Sequence, residues 1–134
     1  MAVVLDSDAV IGFLDRGDAL HDAAAAAVRE CAHRQPLVAS VVTYAEVLTG
    51  ARMGHHDEDH VEEFFAKLIS ELLPVDAAVA DRAARLRAGA QGLRMPDALI
   101  LASADLGPEV DEVLTGDVRA AKLPELECEI RLLR

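Results

Sequence analysis

Ala2-Val3-Val4-Leu5 is an unbroken apolar run that ends at a carboxylate, Asp6. A run this short, with no polar alternation, suits a strand covered on both faces, which is the habit of a parallel sheet. The pattern recurs. Residues 37–42 and 110–114 read as further buried strands, 71–75 as a weaker one because Pro74 cannot donate a ladder bond, and 130–133 as a final edge strand. The intervening stretches carry helical periodicity, so strands and helices alternate along the chain. That alternation predicts an α/β fold: one domain over residues 1–134, an α/β/α sandwich around a mainly parallel sheet. With 52% hydrophobic residues but only 3% aromatic ones, the core must be built from Ala, Val, Leu and Ile.

The helix boundaries follow from local signals. Ser7 is expected to cap a helix over 8–15 that turns Val10, Ile11 and Leu14 inward, and Asp18 to open a second helix running past His21, the alanines of 23–27, Val28 and Cys31. Thr43 is expected to cap a third helix, and Glu46 stands three residues later, at capping-box spacing, which gives it an ordinary structural role. In the segment His55-His56-Asp57-Glu58-Asp59-His60 imidazoles mix with carboxylates, yet neighbours in sequence do not converge on one ion. An acidic first turn before Val61, Phe64 and Phe65 accounts for 57–59 more simply. Asp76 should cap a long helix with Val79, Ala83, Leu86 and Ala90 inside and Asp81, Arg82, Arg85 and Arg87 largely outward as a solvated face. Pro96 fits a helix start, where its missing N–H costs nothing, and Asp97 then falls in the first turn of an otherwise apolar helix. Gly107-Pro108 reads as a turn and 118–123 as a short helix. Cys31 and Cys128 lie far apart and read as buried small thiols, neither disulfide nor metal framework.

A net charge of −11 argues against a chain that grips nucleic acid through a broad basic face, because such binding draws on phosphate neutralisation. Any nucleic-acid role would need divalent metal to reverse the sign locally. A basic protein partner is equally compatible with this charge. No apolar run approaches a membrane span, and no basic segment precedes Asp6 and Asp8, so neither a membrane nor a secretory role is expected and a cytoplasmic location follows by default.

Three acidic residues, Asp6, Glu46 and Asp117, are each expected at or just past the carboxyl end of a strand, and Asp97 at a helix start that can face the same way. Crowded carboxylates repel and raise one another's pKa unless a cation holds them. The ion implied is hard and oxygen-loving, Mg²⁺ or Mn²⁺, because no His or Cys accompanies the set. Such a site serves phosphoryl chemistry, with Ser7 and Thr115 as supporting hydroxyls.

The ordered motifs Val4-Leu5-Asp6-Ser7, Val42-Thr43-Tyr44-Ala45-Glu46-Val47-Leu48, Arg94-Met95-Pro96-Asp97-Ala98-Leu99-Ile100-Leu101-Ala102 and Leu114-Thr115-Gly116-Asp117 resemble those of PIN-domain ribonucleases, in particular the VapC-type toxins of bacterial toxin–antitoxin pairs. The resemblance spans essentially the full chain. It implies a metal-dependent endoribonuclease with Asp6, Glu46, Asp97 and Asp117 as the acidic catalytic and metal-binding set, RNA as substrate, a homodimer, and a cognate antitoxin whose basic segment blocks the cleft. Two departures stand out: Gly116 occupies a position where the family often has Asn, and Asp8 is an additional carboxylate without an assigned role. Two other readings compete. Asp6-Ser7-Asp8-Ala9-Val10 also resembles the opening of haloacid-dehalogenase-type phosphatases, with Asp6 as nucleophile and Lys122 as the late lysine, but that reading leaves Glu46 and Asp97 idle. A non-catalytic PIN-like binding module is the third, and the full carboxylate set speaks against it.

Overall fold

The first apolar run forms the middle of the sheet. The structure, a computed structural model, describes residues 1–107 and 109–134, so half of the turn expected at 107–108 lies outside the described residues. Strand β1 (Ala2–Leu5) leads into α1 (Ser7–Leu14) and α2 (His21–Arg34), β2 (Leu37–Ser40) into α3 (Val41–Arg52) and α4 (Glu58–Leu68), and β3 (Ile69–Leu73) into α5 (Ala77–Gly89) and α6 (Met95–Leu106). Strand β4 (Val110–Thr115), a 3₁₀ turn (Ala120–Lys122) and β5 (Glu129–Leu132) complete the chain. The strand order is β3-β2-β1-β4-β5 and every pairing is parallel.

Side-chain alternation along these strands divides the core in two. Val3, Leu5, Leu37, Ala39 and Leu114 pack beneath α1 to α4. Ala2, Val4, Val38 and Val113 pack against α5 and α6 on the other face. From β1 the chain builds outward in one direction through β2 and β3, then returns to build through β4 and β5 on the other side. Crossovers of one hand therefore put their helices on opposite faces. The reversal lies between β1 and β4, and the crevice at their carboxyl ends is where such sheets place ligands. Among the described residues no helix is long and apolar enough to cross a membrane.

Several boundaries differ from the sequence expectation, and two of the differences matter. Strand β1 stops at Leu5, and Asp6 itself caps α1 by accepting from the Ser7 amide at 2.7 Å. Ser7 is thus inside the helix, and its hydroxyl is free for other work. Likewise β2 ends at Ser40, whose hydroxyl accepts from the Val42 amide at 3.0 Å, so the capping box expected for Thr43 and Glu46 does not form. Glu46 sits in the body of α3. Helix α2 begins at His21, after a turn in which Asp18 accepts from the Leu20 amide. Strand β3 ends before Pro74, as a residue without a donor requires. The helix expected over 118–123 shrinks to the 3₁₀ turn, because Asp117 captures the amide and guanidinium of Arg119.

Asp76 caps α5 as anticipated, while Asp57, expected within an acidic first turn, instead caps α4 ahead of Glu58 and Asp59. Arg82 is not the solvated residue its position suggested. It clamps the buried Asp105 of α6 through Nε at 3.0 Å and Nη2 at 2.9 Å, binding the two helices together. Arg87 turns back to donate to the Leu93 carbonyl. Cys31 is buried, Cys128 half-buried, and both are free.

Candidate active site

The carboxyl ends of β1 and β4 open into a cleft of about 610 Å³ lined by Asp6, Asp8, Glu46, Asp97 and Asp117, with Ser7, Arg94 and Arg119 among them. All four acidic residues singled out from the sequence line this one cleft. Lys122, which a phosphatase of the dehalogenase type would need there, is not among the described lining residues. A smaller pocket beside it, lined by His55, His56, Asp57 and His60, shares His55 and His56 with the cleft wall.

Each carboxylate is held by a different device. Asp6, 7% exposed, accepts from the Ser7 amide and, at 2.7 Å, from the Thr115 hydroxyl. That hydroxyl in turn accepts from the Asp117 amide at 3.0 Å, so Thr115 couples the ends of β1 and β4. The Ser7 hydroxyl donates to Oε1 of Glu46 at 2.6 Å, tying α1 to α3. The two supporting hydroxyls named from the sequence thus touch the acidic set directly. Asp97 occupies the first turn of α6, where unpaired amides favour negative charge. It pairs with Arg94 at 3.1 Å and lies 3.8 Å from Arg119. Asp117 receives the Arg119 fork on both oxygens, Nε to Oδ1 at 2.9 Å and Nη2 to Oδ2 at 3.0 Å.

Asp8 now has a place. Its Oδ2 accepts from the Gly116 amide at 2.8 Å, while its buried Oδ1 has no partner among the described residues. A Cβ on Gly116 would come within 2.5 Å of Leu20 Cδ1 and 2.8 Å of Asp8 Oδ2, so the glycine that departs from the family pattern is what lets Asp8 approach the backbone.

The electrostatics are those of a site short of positive charge. Burial, then the charge of Asp8, pushes the Asp6 carboxyl up to about 7, against the lowering effect of its hydrogen bonds. Burial also raises Asp8. Burial pushes Asp117 upward too, but hydrogen bonds and charge from Arg119 outweigh it and the group ends below the ordinary carboxylate range.

The four carboxylates singled out from the sequence offer only oxygen, and beside them Oδ1 of Asp8 is buried with no partner among the described residues, which suits a hard divalent cation. Among the described residues, however, no three acidic or imidazole side chains are drawn together as a ready-made ligand group. The arginines explain part of this, since Arg94 and Arg119 occupy Asp97 and Asp117. The sequence reading missed both arginines as site residues. Arg94 was visible inside the Asp97 motif, and Arg119 stands two residues beyond Asp117, but charge alone did not separate them from the solvated arginines of α5.

Comparison with known proteins agrees with this architecture. A PIN domain family model matches residues 3–126. Curated protein sequences return no match. Among solved structures, VapBC2 from Rickettsia felis, bound to a DNA fragment from its promoter, aligns over 100% of both chains with a TM-score of 0.78 and 15% identity. VapBC-5 from Mycobacterium tuberculosis, a member of the VapBC family of toxin–antitoxin systems, aligns over 99% of this chain and 98% of its own with a TM-score of 0.61 and 25% identity. VapC20 from the same organism, a sarcin–ricin loop cleaving toxin, aligns over 83% of this chain and 86% of its own with a TM-score of 0.63 and 15% identity. With the sheet order, the acidic cleft at its reversal and a family match over nearly the whole length all in agreement, the chain belongs to the PIN-domain family and has the fold of the VapC toxins.

Proposed function

We propose that this protein is a metal-dependent endoribonuclease that acts as the toxin of a toxin–antitoxin pair. In this reading Asp6, Glu46, Asp97 and Asp117 hold Mg²⁺ or Mn²⁺, and Ser7 and Thr115 orient them. The observation that carries it is the charge deficit of the cleft: five carboxylates face two arginines, and Oδ1 of Asp8, beside the four proposed ligands, is buried with no partner among the described residues. A divalent ion bound there polarises a scissile phosphate and lowers the pKa of an attacking water.

The chain's own contribution is positioning. Thr115 fixes the rotamer of Asp6 and Ser7 that of Glu46, so two of the ligands are pre-aimed from rigid elements. The first turn of α6 presents Asp97 from a helix buried through Ile100, Leu101 and Ala102. Burial, then the charge of Asp8, raises the Asp6 carboxyl, and a divalent cation held beside it would favour the ionised form.

RNA is favoured as substrate by the likeness to a toxin that cleaves the sarcin–ricin loop. A cognate antitoxin is favoured by the likeness to VapBC complexes, and a basic inhibitory segment on it suits an acidic cleft in a chain of net charge −11. A homodimer in the cytoplasm completes the reading. The test is cleavage of total cellular RNA with and without Mg²⁺, using wild type and Asp97→Asn with folding checked by circular dichroism. Metal-dependent cleavage lost in the folded variant is expected. Cleavage that ignores both metal and the substitution would overturn the assignment.

A further inference from the structure

Arg119 does more than the ion pairs of an ordinary surface arginine. Its fork covers both oxygens of Asp117, one of its nitrogens lies 3.8 Å from Asp97, and Nη1 donates to the Gly92 carbonyl at 2.6 Å. One guanidinium thereby links two of the four carboxylates the proposed metal would need to a backbone oxygen outside the acidic set. The fork is hydrogen-bonded to both oxygens of Asp117 and its charge stands 3.8 Å from Asp97, so a cation binding between these carboxylates competes with it for the lone pairs of Asp117 and is repelled by it at Asp97. The side chain is 48% exposed and flexible enough to move. Nη1 belongs to the same planar guanidinium, so while its bond to the Gly92 carbonyl holds, the displaced fork remains beside the cleft. There it presents paired N–H donors whose spacing matches the two non-bridging oxygens of a phosphodiester. Among the described lining residues only Arg94 offers the same chemistry.

We propose that Arg119 is an exchangeable counter-ion: it competes with the divalent metal for Asp97 and Asp117, and once displaced it binds a backbone phosphate of the RNA. This rests on the metal-nuclease reading above. A purely structural arginine would not produce its signature, which is two affinities changing in opposite directions when it is removed.

The experiment compares wild type, Arg119→Ala and Arg85→Ala. Arg85 is an exposed arginine paired with Asp81 on the outer face of α5, so its loss changes the net charge equally without touching the cleft. Mn²⁺ alone is titrated by calorimetry. Binding of a fluorescein-labelled 2′-O-methyl oligoribonucleotide is read by anisotropy with Ca²⁺ in place of Mn²⁺. Arg119→Ala is expected to bind Mn²⁺ about threefold more tightly, the scale of one half-exposed ion pair, and the oligonucleotide about fivefold more weakly, as loss of a charge-assisted fork predicts. Arg85→Ala should match wild type in both. Arg119→Gln, nearly as long and uncharged, repeats the measurement should alanine unsettle the fold. If Arg119 variants behave like Arg85→Ala, or shift both affinities the same way, this inference fails while the metal site stands. If neither wild type nor the Arg119 variants take up Mn²⁺, the metal-nuclease reading falls and takes this inference with it.

Discussion

The two flanks of the cleft hold their carboxylates by opposite means. On the β1 side, Asp6, Asp8 and Glu46 are met by neutral donors: the amides of Ser7 and Gly116 and the hydroxyls of Thr115 and Ser7. On the α6 and β4 side, Asp97 and Asp117 are met by guanidinium groups. Neutral donors fix direction but leave the charge uncompensated, so burial drives Asp6 and Asp8 upward. Cationic partners outweigh burial and draw Asp117 down. The lesson is that a cleft can be preorganised and still unsatisfied: one flank is aimed and waiting for a cation, the other is provisioned with its own.

If that contrast is real, removing a proposed metal ligand on either flank should abolish activity for the same reason. Asp6→Asn and Asp97→Asn are each expected to lower Mg²⁺-dependent RNA cleavage by about a hundredfold or more, at least the cost of disturbing a ligand's supporting partner. Yet their melting temperatures should diverge at neutral pH. Asp6→Asn relieves repulsion with Asp8 and should melt no lower than wild type, whereas Asp97→Asn loses the Arg94 pair and should melt slightly lower. Equal losses of stability in the two variants would erase the distinction between the flanks.

A milder probe is Ser7→Ala, which leaves Glu46 without its 2.6 Å donor and should cost about tenfold in cleavage rate, with little change in melting. An unchanged rate would mean that Glu46 needs no aiming. Gly116→Ala tests the close approach that seats Asp8. The added methyl group must push Leu20 and Asp8 aside, and a loss of about 1–3 kcal/mol in denaturant titration is expected. Full stability would show that the approach is slack.

A further contrast should appear in pH scans of the metal-free protein. Folded Asp6 keeps its proton to about pH 7, while the unfolded chain releases it near 3.8, so between those values the folded state binds more protons. Stability must then fall as pH rises through that window and level off above it, and Asp8 adds to the same slope. Asp117 acts in the opposite sense, its contribution being lost only as pH drops into the acid range. Asp6→Asn should flatten the fall, and added Mg²⁺ should raise the melting temperature more at the upper end of the window than at the lower. A slope that survives Asp6→Asn unchanged would assign it elsewhere.

Legibility from sequence followed the distance over which each signal acts. The parallel sheet was readable because Ala2-Val3-Val4-Leu5 and its counterparts are buried on both faces, a requirement written into every residue of the run. Asp6 and Asp117 were readable because they stand just past strand ends, whereas Glu46 lies inside α3 and Asp97 in the first turn of α6, and both reach the same cleft from helices. Errors of one or two residues at the start of α1 and the end of β2 had larger consequences: they turned Ser7 and Glu46 from capping residues into a hydrogen-bonded pair 39 positions apart. Capping motifs are local, and the competing partner was not. The same holds for Arg82, whose partner Asp105 lies on the next helix, and for Gly116, whose reason is Leu20 and Asp8 from the far end of the chain.

The bond from Thr115 to Asp6 spans 109 positions of sequence, and it joins the ends of the sheet's central strand and of its neighbour β4. At about 5–20 residues per second, a ribosome needs roughly 5 to 20 s to travel between them. Throughout that interval the nascent chain carries Asp6, and then Glu46, with no β4 to bring Asp117 beside them. Strand β4 therefore completes the cleft, and a chain interrupted before it lacks Thr115, Gly116 and Asp117.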